Sequence, residues 1–298
     1  MKVTKKQNNL FSNGIKRFKE FLSNVLIVLK RPELKVLPGQ LAFFFVLSIV
    51  PTITLLGYFT SYLNLSSDFV FNFISKALNS DIASLVCNTI TNPDVGLRFY
   101  ASILIAYYFA SNGAASMIVT SNAIYGIKDS GFFKRRLKAF IMTIFLIILF
   151  IFILVVPLFG ERIIELIKYV NLNANITEII TAVFNFIKGP ISWLVIFIFI
   201  KLLFTLAPDR KLPSKNVNYG AIFTSIMWII VTSVYSFYIN HFAAYDVFYG
   251  SLANIVILMV WFYLLSYIFT IGLALNYREE EVQLEKTGQI NLINQDIL

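Results

Sequence analysis

Cysteine and histidine are almost missing from this sequence: 298 residues contain one of each, Cys87 and His241. A single thiol closes no intramolecular disulfide, so no oxidised framework is implied. One imidazole cannot build a multi-histidine zinc site, and no Cys–His spacing of a metal-ligand type is present. Charge is scarce as well. Asp, Glu, Lys and Arg make up 14% of the chain, against about 25% in a soluble domain. A Gly-x-Ser-x-Gly elbow, a Walker A loop and a Gly-x-Gly-x-x-Gly turn are all missing. Asp209 and Asp246 fall in different connections, so a hydrolytic carboxylate pair would need Glu161 or Glu165 as a further contributor. These absences leave no catalytic residue, metal ligand or cofactor site to name, and they argue against an enzyme.

What is abundant is apolar length. Hydrophobic residues make up 58% of the chain, and the mean hydropathy is +0.75. The apolar residues gather in six runs, over 38–61, 98–120, 138–159, 184–206, 217–240 and 250–275. A helix needs about 20 such residues to bridge a hydrocarbon core of roughly 30 Å. Barrel strands would alternate apolar and polar residues over ~10 positions, and Phe140–Val156 shows no alternation. The sequence therefore predicts an all-α, polytopic membrane protein, a bundle of six transmembrane helices. Its first run is too long for a signal peptide and is expected to stay as a span.

The basic residues give the topology. Nine lie before the first run: Lys2, Lys5, Lys6, Lys16, Arg17, Lys19, Lys30, Arg31 and Lys35. Lys128, Lys134, Arg135, Arg136 and Lys138 follow the second run, and Arg210, Lys211 and Lys215 follow the fourth. The alternate connections are poor in Lys and Arg. The positive-inside bias puts both termini in the cytoplasm of a cell or inner membrane, consistent with an even number of spans. The net charge of +9 is then explained by these flanks facing anionic lipid headgroups, without nucleic acid. Homo-oligomers or other membrane partners stay open.

Three regions follow: a basic cytoplasmic segment over 1–37, a transmembrane domain over 38–277 and an acidic cytoplasmic tail over 278–298, expected to be mobile. Within the first, Ile15, Phe18, Phe21, Leu22, Val25, Leu26 and Leu29 recur on one helical face, with Lys16, Lys19 and Glu20 opposite. That pattern predicts an N-terminal amphipathic helix lying in the membrane interface. The outer connection 64–97 also repeats apolar residues at near-helical spacing and suggests short surface helices.

Polar groups inside spans are costly in hydrocarbon and face protein or water. The second run carries Asn112 and several hydroxyls, with Ala106, Ala110 and Ala114 at four-residue spacing. Small residues at that spacing let helices approach closely. The fifth run places Thr224, Trp228, Thr232 and Tyr235 on one face, and the sixth places Tyr263, Ser266 and Thr270 on one face. Buried seams and cavity walls both fit this periodicity. Pro51 interrupts the first run beside Thr52 and Thr54; such a break can mark a transporter's binding site, and hydroxyls or neighbouring helices can equally serve the freed carbonyls.

Several motifs carry a family likeness. Leu41-Ala42-Phe43-Phe44-Phe45 with Ser48 and Pro51, Phe132-Phe133-Lys134-Arg135-Arg136, and Ala207-Pro208-Asp209-Arg210-Lys211 resemble the YihY/BrkB family of inner-membrane proteins. The most specific match is Phe242 through Leu252, containing Tyr245, Asp246, Val247, Phe248, Tyr249, Gly250 and Ser251. The first-span cluster departs from many relatives in holding only phenylalanine. The resemblance implies six helices with intracellular termini and no settled activity; a historical ribonuclease label finds no clustered His and Asp here to support it.

The last motif has a physical reading too. Tyr245 and Tyr249 fit an aromatic belt at the outer interface. Gly250 permits a tight approach to the sixth span, and Ser251 and Asn254 can cap it. The same helix start could hold an anion, beside His241 and Asp246, with Pro208, Asp209 and Arg210 as the cytoplasmic counterpart. Two functions follow. A permease or lipid-handling transporter predicts a groove bounded by Asn112, Thr232 and Asn254. A non-transporting structural or envelope-assembly protein predicts that the same residues are packed seams.

Overall fold

The computed structural model describes residues 19–62, 97–148, 174–241 and 253–287. Among them the chain forms seven α-helices and no strand. These are α1 (19–29), α2 (Leu37–Tyr62), α3 (Leu97–Tyr125), α4 (132–148), α5 (Ala174–Leu206), α6 (Asn218–His241) and α7 (Ala253–Thr287), with a 3-10 turn at Pro32–Lys35 between α1 and α2. Among the described residues, four helical stretches are long and apolar enough to cross a membrane: Tyr100–Tyr125, Gly189–Leu206, Asn218–Tyr235 and Ile255–Glu285. Leu37–Ile49 in α2 adds a shorter apolar run. The expected run 138–159 is helical to 148, and its remainder lies outside the described residues, as does the connection 64–96.

Helix α7 is the centre of the bundle, packed on α2, α3 and α6, while α2 pairs with α3 and α5 with α6. Phe204 of α5 and Phe269 of α7 are fully buried and meet at 4.9 Å between ring centroids. Two close crossings fix this arrangement, and both rest on glycine. At Gly113 the Ser48 hydroxyl of α2 enters the backbone ladder of α3, accepting from the Gly113 amide at 2.9 Å. Ala110 and Ala114 are buried beside it, so the small-residue spacing of this span serves packing. At the α6–α7 crossing, a Cβ on Gly220 would overlap the Gly272 carbonyl oxygen and the Asn276 side chain. The backbones touch there, and the Gly220 amide donates to Asn276 Oδ1 at 2.6 Å.

Helix ends follow local chemistry. Gly126 adopts φ +63, and the Ile127 amide reaches back to the Asn122 carbonyl at 2.8 Å, the Schellman closure that glycine permits. In α2 the flanks of Pro51 are served by hydroxyls, Ser48 donating to Phe44 O and Thr52 to Ser48 O, each at 2.6 Å. Helix α5 begins at Ala174 and carries Pro190 in its interior, so it starts earlier than the expected 184.

Two expectations change in detail. The single apolar stripe foreseen for the N-terminal helix is divided. Phe21, Val25 and Val28 turn inward, Phe21 meeting Tyr219 and Phe223 edge-on or tilted, whereas Leu22, Leu26 and Leu29 stay exposed, Leu26 at 61%. A stripe read from periodicity can serve two surfaces, and here the bundle takes only half of it. The acidic segment after Tyr277 continues α7 as helix to Thr287. Glu280, Glu281 and Glu285 find basic partners there, which offsets part of the loss of backbone freedom.

A candidate functional site at the basic end of the bundle

The 3-10 turn before α2, the α3–α4 connection, the α5–α6 connection and the last turns of α7 meet at one end of the molecule. Their meeting point is Asp209. Its backbone amide donates to Asn122 Oδ1 and its Oδ2 accepts from Asn122 Nδ2, both at 2.8 Å. The Ser130 amide adds a bond to Oδ2 at 3.2 Å. Lys138 Nζ donates to Asp209 Oδ1 at 2.8 Å, Ala207 O at 2.8 Å and Pro208 O at 2.7 Å. An ammonium has three N–H groups, and all three are used here. The cation also sits at the carboxyl end of α5, where the helix dipole favours positive charge.

The Asp209 side chain is 7% exposed. Burial pushes its carboxyl up, but hydrogen bonds from Lys138, Asn122 and Ser130, with the lysine charge, outweigh that and hold it at about 2. It stays ionised at every physiological pH.

A second layer surrounds this node. Arg210 pairs with Glu280 at 2.6 Å and lies 5.5 Å from the Tyr125 ring centroid. Arg31 pairs with Glu281 at 3.6 Å, stands 4.7 Å over the Tyr277 ring and donates to Ile124 O at 3.4 Å. Tyr125 and Tyr277 meet edge to face at 5.6 Å. Arg278 joins Glu281 at 3.2 Å. The lattice thus ties α7 to the turn before α2, to the end of α3 and to the start of the α5–α6 connection.

Of the residues singled out by sequence, Pro208, Asp209 and Arg210 fall in this lattice, and Pro208 contributes its carbonyl. Asn112 lies further along α3 and accepts from Arg136 Nη1 at 2.9 Å. Thr232 belongs to the α6–α7 contact, where Trp261 Nε1 donates to its hydroxyl at 3.3 Å. The same contact holds Trp228 Nε1 on Leu265 O at 3.0 Å and the Tyr235 hydroxyl on Ile257 O at 2.6 Å. Asn112 and Thr232 therefore engage different neighbours. Asn254 is in the first turn of α7. Tyr245, Asp246, Tyr249, Gly250 and Ser251 lie outside the described residues.

Sequence reasoning missed Lys138, Asn122, Arg31, Glu280 and Glu281 as site residues. One signal was there to find: Asp209 is the only acid in an otherwise basic connection, 207–217. Next to the lattice, α3 also carries Ser116, Thr120 and Ser121, buried and with side-chain oxygens that have no hydrogen-bond partner among the described residues. Thr224 of α6 and Ser266 of α7 share that condition. Among the described residues, no three His, Cys, Asp or Glu side chains converge as a metal site would require.

The family model for the virulence factor BrkB matches residues 27–291. YfkH of Bacillus subtilis, whose name carries a ribonuclease-like label, is 33% identical over 243 residues, covering 80% of this chain and 87% of its own. A UPF0761 membrane protein of Pseudoalteromonas translucida is 26% identical over 276 residues, covering 89% of this chain and 87% of its own. Another from Vibrio parahaemolyticus is 27% identical over 276 residues, with 89% and 82% covered. No solved structure matches the chain. Apolar helices of spanning length and a match over most of the sequence agree: the chain belongs to the BrkB family of membrane proteins.

Proposed function

We propose that this is a six-span protein of the cell membrane with both termini cytoplasmic, and that it moves or handles a lipid-like or anionic molecule. The Asp209 lattice is then its cytoplasmic closure. The observation that carries this reading is the set of buried hydroxyls on α3, Ser116, Thr120 and Ser121, which have no hydrogen-bond partner among the described residues and lie beside the ion-pair node. Buried polar groups without partners cost about 1–3 kcal/mol each, and an aqueous or polar occupant would relieve that cost. No step of the reading is catalytic. Six crossings fit the gathering of basic segments at one end, because each pair of spans returns the chain there.

Opening can be tested with a single thiol. In a Cys87→Ser background, Thr120→Cys is expected to react slowly with a membrane-impermeant thiol reagent applied to the cytoplasmic face. Adding Asp209→Asn releases Lys138 and raises the rate about tenfold, the effect of shifting a closed–open equilibrium by ~1.4 kcal/mol. Equal, slow labelling of both proteins, each shown to be folded, would sink the gated-path reading.

The α6–α7 seam favours the second function. Trp228, Thr232, Tyr235 and Trp261 are spent on hydrogen bonds between two helices, which is what a non-transporting structural or envelope-assembly component would do with them. Under that reading Thr232→Cys and Asn254→Cys stay protected whatever is done to Asp209.

A further inference from the structure

Arg136 differs from every other arginine whose side chain is described. Arg31, Arg135, Arg210 and Arg278 each pair with a carboxylate, Glu281, Asp129, Glu280 and Glu281 respectively. Arg136 has none among the described residues. Its Nη1 donates to Asn112 Oδ1 and its Nη2 to Tyr108 O, both at 2.9 Å, and its guanidinium lies on the Tyr108 ring face at 3.5 Å. Both hydrogen-bond acceptors are neutral. The side chain is held from two directions while no carboxylate among the described residues compensates its charge. A guanidinium has five N–H groups in a rigid fork matched to phosphate. Nε is buried, and Nη1 and Nη2 each spend one N–H on Asn112 and Tyr108, which leaves each a second N–H to offer.

Its position along α3 matters as much as its partners. Helix α3 has 29 residues and spans about 43 Å, some 13 Å more than a hydrocarbon core. Asn112 lies 13 residues before its end at Tyr125, about 20 Å along the axis. Even if all the surplus length emerges at the basic end, Asn112 lies about 7 Å inside the hydrocarbon, and Arg136 meets α3 there. A cation with no carboxylate partner among the described residues is expensive there, and local thinning of the bilayer relieves the cost by bringing in the nearest anion, a lipid phosphate.

The surroundings are those of a lipid-facing surface. Phe133 is 86% and Leu137 65% exposed on α4, and Phe109 and Ile141 are also exposed nearby. Lys134 adds a second exposed cation. Apolar side chains beside basic ones suit acyl chains below a phosphate.

From this we infer that Arg136, fixed by Asn112 and Tyr108, seats the phosphodiester of one anionic membrane lipid at the basic face of the bundle. The inference needs the protein to sit in a bilayer, and it stands whether or not that lipid is moved.

Native mass spectrometry of the full chain in detergent, titrated with phosphatidylglycerol or phosphatidylcholine, tests it. The wild type is expected to retain one phosphatidylglycerol about tenfold more tightly than phosphatidylcholine, and Arg136→Ala to lose that preference, the size of one charge-assisted contact. Lys134→Ala, on an exposed side chain, keeps most of it. If Arg136→Ala does not yield folded protein, Arg136→Lys carries the test. It retains charge without the planar fork, so a loss of about threefold is expected. Equal retention of the two lipids by the wild type would overturn the proposal, as would a preference unchanged in the Arg136 variant that folds. Displacement of phosphatidylglycerol by millimolar inorganic phosphate would assign the seat to a soluble anion and overturn the lipid. Persistence of the lipid under that challenge supports it.

Discussion

Two neighbouring regions at the basic end of the bundle, the start of the α6–α7 seam and the Asp209 node, hold together by opposite means. At the Gly220–Gly272 crossing the backbones touch because two side chains are missing. At Asp209 the chain is joined by charges and hydrogen bonds whose every donor from Lys138 is used. Close packing cannot be relaxed by degrees, whereas an ionic node can be loosened by protonation or by a competing ion. A membrane protein with one of each has a fixed seam and a releasable end.

That contrast breaks first at the seam. Gly220→Ala places a methyl group against the Asn276 side chain and, closer still, against the Gly272 carbonyl, which is backbone and cannot swing aside. A loss of more than about 3 kcal/mol is expected, read as a collapse of monodisperse protein in fluorescence-detected size exclusion. Normal yield and melting would show that the helices separate freely. Lys138→Met comes next. It leaves the buried Asp209 carboxylate with only Asn122 and Ser130, at a cost of roughly 2–3 kcal/mol, seen as a lower melting temperature in detergent. A cycle with Asp209→Asn should show strong coupling, and additive effects would count against the node.

Acid makes the smallest change and separates the regions most cleanly. The Asp209 carboxyl sits at about 2 when folded and near 3.9 in a free chain. A depressed value gives stability that is fully present above ~4 and is lost as pH falls through 4 towards 2. The loss is on the order of 2 kcal/mol. The wild type should therefore lose more stability than Asp209→Asn between pH 5 and pH 2, while the glycine crossing contributes no difference. Parallel pH profiles of the two proteins would refute this.

The helices were legible because length and apolar content are local properties. The Ala110–Ala114 spacing was legible as packing for the same reason, and Asp209 stood out within its own connection. The partners were not legible. Lys138 and Asp209 are separated by 71 positions, and a lysine counted for topology gives no sign of which acid it will meet. Gly220 and Gly272 belong to different spans, each without a second glycine at four-residue spacing, so neither run betrays the crossing. The end of α7 is a different kind of miss. Glu, Gln and Leu after Tyr277 are good helix formers, and reading acidity as solvation hid that propensity.

Helix α7 runs for 35 residues, about 52 Å, without proline, and its single glycine, Gly272, is clamped against Gly220 and Phe204. Such an element behaves as a stiff rod through the whole protein. One tip begins at Ala253, and the other carries Glu280 and Glu281 against Arg210 and Arg31. A displacement of the first tip is therefore carried along the rod to two carboxylates and the arginines they face.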